Sequence, residues 1–338
     1  MSYEDFLTGQ RVDAKSKIHH LPALYINHTK DNLSFGLGIF SPFGLSTEWP
    51  KDWVGRYVAT YTAIKTTFIN PVVAYRVNDY FSFGFGISYI KSSVEMKKAI
   101  PLTPLPDGIA KLTGDGDGIG YNVGITMKFP EQYTASMALR SPVTIKYSGK
   151  AYFYMPPPLA TSSTGASTKI TLPFIAVFGI SKNIGALTLE GDILYTGWSS
   201  LGSFRVSSDN GMANAFYYKA WSNTPSIAIG ANYRWNKSLE VRGGYMYDKS
   251  PVPKKTLGPE LPDNTRNIFT FGTTYHKNKC SLHIGYQATF FQKATSYRST
   301  TGLKGAYENF AHLVLVSVSY TTDEQDSRSS SNLESTKH

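Results

Sequence analysis

Ser281-Leu282-His283-Ile284-Gly285-Tyr286-Gln287-Ala288-Thr289-Phe290 is the stretch whose reading decides the fold. Leu282, Ile284, Tyr286, Ala288 and Phe290 fall on one face, and Ser281, His283, Gly285, Gln287 and Thr289 on the other, which is the period of a β-strand. Soluble strands average about 5–6 residues, whereas a strand that crosses a membrane needs about 9–11. Residues 238–248 repeat the pattern, with Leu239, Val241, Gly243, Tyr245 and Tyr247 opposite Glu240, Arg242, Gly244, Met246 and Asp248. Further alternating segments lie near 18–29, 33–42, 61–76, 80–95, 118–129, 133–147, 167–182, 186–196, 223–235, 265–277 and 310–320, about thirteen strands in all.

Composition excludes the main alternatives. Charged residues make up 17% of the 338, below the roughly 25% of a soluble domain. Aromatics reach 14%, which disordered chains do not. The longest clean apolar run is Phe174 to Ile180, far short of the roughly 20 residues of a spanning helix. A single cysteine, Cys280, rules out an intramolecular disulfide framework and multi-cysteine metal sites. The net charge of +10 invites an anionic partner, but the basic residues are scattered and form no nucleic-acid arm. Nucleic acid is not expected as a partner. The first residues, Met1 to Gly9, have neither the basic nor the apolar part of a secretory signal.

The connections sort by length. Short polar turns at 30–32, 77–79, 130–132, 182–185, 236–237 and 277–279 alternate with long connections near 46–60, 96–117, 148–166, 197–222, 249–264 and 293–309. Outer-membrane barrels are built this way, with short periplasmic turns and long external loops. Phe81, Phe83, Phe85, Ile87 and Tyr89 read as a lipid face. Arg140, Glu190, Asp192, Asn232, Arg234, Glu240 and Arg242 read as the inward face, since charge is costly in lipid. The fold class expected is therefore all-β, a transmembrane antiparallel barrel. By parity, strand 18–29 begins outside, so at least one upstream strand is expected, with Tyr3 to Gly9 belonging to the end of that strand or its loop.

Enzyme signatures are missing: there is no Gly-x-Ser-x-Gly elbow, His-Glu-x-x-His or phosphate loop. No cofactor and no metal are expected. Gly114-Asp115-Gly116-Asp117-Gly118 lacks the distal Glu of a calcium site and reads as a flexible loop. Ser41-Pro42-Phe43-Gly44 supports two readings, a break in the barrel wall or simply the end of a strand. Leu102, Leu105, Ile109 and Leu112 in one connection, and Tyr152, Phe153, Tyr154 and Met155 in another, are apolar residues in segments read as long external loops. Asp248 lies on the inward face at the root of a loop stiffened by two proline clusters.

That loop carries a resemblance. Ser250-Pro251-Val252-Pro253, with Leu261-Pro262-Asp263 and Arg266, then Phe271-Gly272-Thr273-Thr274-Tyr275, resemble the outer-membrane long-chain fatty acid transporters, FadL and its relatives that import toluene-like aromatics. Phe43-Gly44-Leu45-Ser46-Thr47-Glu48-Trp49 and Ser82-Phe83-Gly84-Phe85-Gly86 match as well, and the similarity runs from about residue 20 to 320. It implies a fourteen-stranded barrel plugged by an N-terminal hatch, an outer hydrophobic groove for which those apolar residues of loops 96–117 and 148–166 are the candidates, a deeper pocket, and lateral release where a strand kinks inward. On this resemblance the kink is Pro42, Phe43 and Gly44. Lys98 on an ungapped reading, or Lys97 otherwise, and Lys219 correspond to basic residues near a fatty acid carboxylate, and Asp248 to an acidic residue below the proline loop.

Three features depart from the family pattern. The hatch, with its Asn-Pro-Ala signature, is not found; Asn70-Pro71-Val72 lies in a strand. The loop 96–117 looks short. Thr321 to His338 reads as a disordered polar tail after a barrel spanning 1–320, whose first strand is incomplete or missing. The expectation is passive uptake of hydrophobic molecules across the bacterial outer membrane, without covalent chemistry. The partners expected are the cargo, outer-membrane lipid and the machinery that assembles barrels. The alternative is a structural or adhesive barrel whose basic loops bind polyanions such as lipopolysaccharide.

Overall fold

The computed structural model describes residues 1–297 and 299–322. All but the first two residues of the expected tail lie outside this range. Eighteen strand segments form one large antiparallel sheet, and four short ones form a second. In the large sheet three passes are each broken into two segments, and Ser203–Ser208 with Ala215–Tyr218 make a hairpin within a loop. This leaves thirteen wall passes. Ser281 to Phe290 lies in Cys280–Phe291, registered against Arg266–Lys277 and Phe310–Tyr320. No helix is long and apolar enough to cross a membrane among the described residues; the strands provide the crossing.

The lipid face follows the alternation. Phe83, Phe85 and Ile87 point outward from Phe81–Ile100, and Ile119 and Phe271 are 71% and 75% exposed. The inward face is divided. Along 187–248 it is polar, with Arg234 3.6 Å from Glu240 and Asn232 bonded to the same carboxylate. Along 61–172 it is apolar and packed, with Phe68, Ile90, Val94, Val143, Ile145, Tyr147, Ile170 and Leu172 in one buried cluster. Arg140 does not reach Glu190. Its guanidinium lies 5.1 Å from the Phe40 ring and 5.4 Å from the Phe68 ring.

Two expected long loops are corrected. Residues 96–117 and 148–166 are mostly strand, because Phe81–Ile100, Gly108–Phe129, Val143–Tyr154 and Ser162–Leu172 continue beyond the lipid belt. Gly114 to Gly118 is strand and not a flexible loop. Its glycines face neighbours that lean across them: a Cβ on Gly116 would lie 2.5 Å from the Lys146 carbonyl, and one on Gly118 2.6 Å from Val143.

On the loop side, Ser2–Asp5 pairs with Arg11–Asp13 and with Gly305–Glu308. The N-terminal residues thus belong to the loop layer. Tyr3, Trp49, Trp53, Leu257, Leu303 and Tyr307 give this layer its own buried core, with Trp49 and Trp53 stacked at 4.5 Å. The wall strand expected at 18–29 begins at Leu24. In sheet order Leu24–Lys30 follows Phe310–Tyr320. Both run from the loop side to the turn side, each has a registered ladder on its other flank alone, and every residue of both is exposed.

Candidate functional site

Pro42 breaks a wall strand. Leu33–Phe40 pairs with Tyr61–Arg76 as far as Phe40 opposite Phe68, and pairing resumes with Gly44 opposite Lys65. Four steps on one strand therefore face three on the other, a bulge of one residue. The flanking strand Leu24–Lys30 reaches only Ile39. Of the two readings of Ser41 to Gly44, the break is the one present. Phe43 packs 6.1 Å from both Phe68 and Trp198, and its carbonyl accepts a hydrogen bond from Thr66.

Two neighbouring cavities lie above this break. The inner one, about 370 Å³, is lined by Pro42, Phe43 and Gly44, by Trp198 and Trp221, and by Lys219, Glu260, Asp248 and Pro251. The outer one, about 320 Å³, is lined by Lys98, Lys97, Lys111, Tyr152, Phe153 and Tyr217. Thr62, Met96, Leu112 and Val206 line both. Each volume is at the lower end of the range for small-molecule pockets, roughly 300–1,000 Å³. Leu102, Leu105, Tyr154 and Met155 line neither. Leu102 and Met155 instead pack around Gly108 at the hairpin tips, because the strands extend farther than the alternation suggested.

The charges of the inner cavity are largely satisfied from within. The Lys219 ammonium donates to Glu260 Oε1, and both side chains are more than nine-tenths buried. Glu260 Oε2 and Trp221 Nε1 have no partner among the described residues. Asp248 is tied to Arg266, its register partner, whose Nε donates over 2.6 Å, and Ser226 donates to the same carboxylate over 2.5 Å. Arg266 also donates to Asp263 over 3.1 Å, and Ser250 Oγ to Asp263 over 2.7 Å. Burial raises the Asp263 carboxyl above its ordinary range, against the pull of Arg266 and Ser250. Ser250, Asp263 and Arg266 thus latch the proline loop to the strand ends. Val252 packs against the loop core, and Thr256 fixes the loop by donating to the Lys219 carbonyl. Pro253 and Pro262 line neither cavity.

Sequence reasoning missed Glu260, Trp198, Trp221 and Tyr217. Glu260 sits beside Leu261-Pro262-Asp263, so an acid flanked by prolines in a stiffened loop was the available signal. Among the described residues no cluster of three or more His, Cys, Asp or Glu could hold a metal.

An apolar-belted antiparallel wall, a structured loop cap and stacked greasy cavities define an outer-membrane transport barrel. Residues 7–322 match the family model described as outer membrane protein transport protein (OMPP1/FadL/TodX), and the chain belongs to that family. The long-chain fatty acid transport protein of Escherichia coli O6:H1 is 27% identical over 328 residues, covering 85% of this chain and 73% of that protein. Outer membrane protein P1 of Haemophilus influenzae strain Rd is 24% identical, covering 79% of this chain and 65% of that protein. In fold, the chain is similar to a Pseudomonas aeruginosa FadL homologue, with a TM-score of 0.80 at 20% identity over 94% of this chain and 86% of that one. It is also similar to the P. putida toluene transporter TodX, with a TM-score of 0.77 at 15% identity over 96% and 87%.

Proposed function

We propose that this barrel takes up long-chain fatty acids or aromatic hydrocarbons passively across the outer membrane. In this reading cargo enters the outer cavity, moves to the inner one and leaves sideways at Pro42 to Gly44. The observation that carries the reading is continuity: two apolar cavities share four lining residues, and the inner one ends at the wall break. Burial of apolar surface drives capture, worth about 0.8 kcal/mol per CH₂. The inner cavity takes the apolar part of the cargo, since its lysine is already held by Glu260. A fatty acid carboxylate is left to Lys98, which has no ion pair among the described residues and lines the outer cavity.

The adhesive alternative has less support, because loop charges are neutralised internally. Lys15 and Lys17 share Glu48, Lys97 and Lys111 share Glu95, Arg56 holds Asp107, and Lys293 bridges Glu4 and Glu308. The test is uptake of labelled fatty acid and toluene by cells carrying the native protein or Pro42→Val. Slowed entry of both, with binding by purified protein unchanged, is the expected result; unchanged entry refutes release at the break.

A further inference from the structure

Eight buried side-chain atoms have no hydrogen-bond partner among the described residues. Three of them, Thr62 Oγ1, Trp221 Nε1 and Glu260 Oε2, belong to residues that line the inner cavity. Each of these residues is more than nine-tenths buried. The outer cavity shares only Thr62 with this set. Buried polar groups without a partner are costly and rare in folded proteins. Three of them around one cavity point to a common partner.

The fold gathers the three residues in one place. Thr62 stands opposite Thr47 in register, so the two side chains share a face. Thr47 Oγ1 donates to the Glu260 carbonyl over 3.3 Å. Glu260 Oε1 accepts from Lys219, which leaves Oε2 as the free oxygen of that carboxylate. Trp221 follows Lys219 by two residues, past Ala220 at a left-handed φ of 50°. The Lys219 and Ala220 amides both donate to the Gly202 carbonyl, which fixes that turn. All three residues thus surround the Lys219–Glu260 pair.

Their chemistry selects an occupant. Trp221 Nε1 only donates, a carboxylate oxygen only accepts, and the Thr62 hydroxyl does either. A hydrocarbon satisfies none of them. A carboxylate cannot donate to Glu260, and an ammonium cannot accept from Trp221. A hydroxyl does both. The surrounding wall is aromatic: Trp198 meets Trp221 edge to face at 5.5 Å and Phe43 at 6.1 Å. Rings prefer such edge and offset contacts. The volume of about 370 Å³ exceeds the roughly 150 Å³ of an apolar cavity that holds benzene, so a substituted single ring fits.

We propose that the inner cavity selects monohydroxylated aromatic cargo of the phenol class. The cargo hydroxyl donates to Glu260 Oε2 and accepts from Trp221 Nε1, with Thr62 as a further contact. This assignment rests on the uptake reading above and narrows its cargo. A phenol is uncharged near neutrality, as tyrosine is, so no ionic charge is buried with it.

The test is calorimetric titration of native protein extracted from outer membranes with p-cresol and p-xylene, which differ by a hydroxyl in place of a methyl. The quantity read is the ratio of the two affinities, in native protein and in Trp221→Phe and Thr62→Val. Folding of each variant is checked by the shift in gel mobility on heating. The native protein should favour p-cresol although p-xylene is the more hydrophobic. Trp221→Phe should lower the ratio about tenfold, the worth of one hydrogen bond. Thr62→Val should lower it in the same direction, and alone decides the matter if Trp221→Phe does not fold. Native preference for p-xylene, or a ratio that no folded variant moves, overturns the proposal and leaves water as the partner of these atoms; the uptake reading then stands, since p-xylene binds. Failure of both probes to bind overturns the proposal together with the aromatic half of that reading.

Discussion

Lys219 and Glu260 are paired by a hydrogen bond between two buried side chains on separate loops, and the pair lines the inner cavity. A lysine there could serve a carboxylate cargo only by leaving Glu260. Glu260→Gln removes that competitor and should strengthen long-chain fatty acid binding by about tenfold, the effect of roughly 1.4 kcal/mol, while leaving toluene binding unchanged. Calorimetric titration of the two ligands checks this; equal effects on both would mean that the pair serves only to hold the loops together.

Lys98 makes the complementary case from the outer cavity. With no ion pair among the described residues, its charge is available, so Lys98→Ala should weaken fatty acid binding more than toluene binding. Lys219→Ala should weaken both, because it strands the buried Glu260 carboxylate and loosens the loops. Competition for a fluorescent fatty acid, run with each variant against both ligands, separates the two residues.

Arg266 spans Asp248 on one strand and Asp263 on the proline loop. Its fork supplies two directed bonds that a lysine ammonium cannot reproduce. Arg266→Lys should therefore lower stability by about 1–2 kcal/mol, a value kept small because the side chain is 31% exposed. The temperature at which heated protein loses its compact gel mobility should fall accordingly, and the loop 249–265 should become a protease site.

The wall was legible in the sequence where lipid dictates it. Leu282, Ile284 and Tyr286 alternate with polar residues because lipid lies on one side only, and the strand appeared where expected. Above the belt neither face meets lipid, so residues 108–117 carry no alternation and were read as loop although they are strand. The break at Pro42 was visible because proline and glycine act locally. Glu260 was not, since its partner Lys219 is 41 residues away and no local pattern records a pairing between loops. Asp248 and Lys219, singled out through the resemblance, both line the inner cavity, yet both are already engaged by protein.

The glycines of Gly108–Phe129 divide by what they face. A Cβ on Gly118 would meet the buried, β-branched Val143 at 2.6 Å, whereas one on Gly124 would meet only the Met137 carbonyl at 3.7 Å. Gly118→Ala should destabilise the barrel by about 1–3 kcal/mol through overpacking. Gly124→Ala should be neutral or slightly stabilising, since alanine loses less freedom on folding. Urea unfolding in the same detergent measures both, and equal midpoints would show that Val143 yields at no cost.

Glu48 gives the loop layer its pH dependence. Lys15 Nζ lies 2.6 Å from its carboxylate, and Lys17 binds the other oxygen. These hydrogen bonds hold the Glu48 carboxyl below its ordinary value of 4.5. A depressed folded value means that the anion stabilises the fold, fully above 4.5 and less as pH falls towards the depressed value. The segment carrying Lys15 and Lys17 should stay closed around neutrality and open on acidification through that window. Hydrogen exchange of residues 1–17, corrected for the intrinsic rate, should show the step. Glu48→Gln should exchange fast at neutral pH and lose the step; a step that survives the substitution would place the titrating group elsewhere.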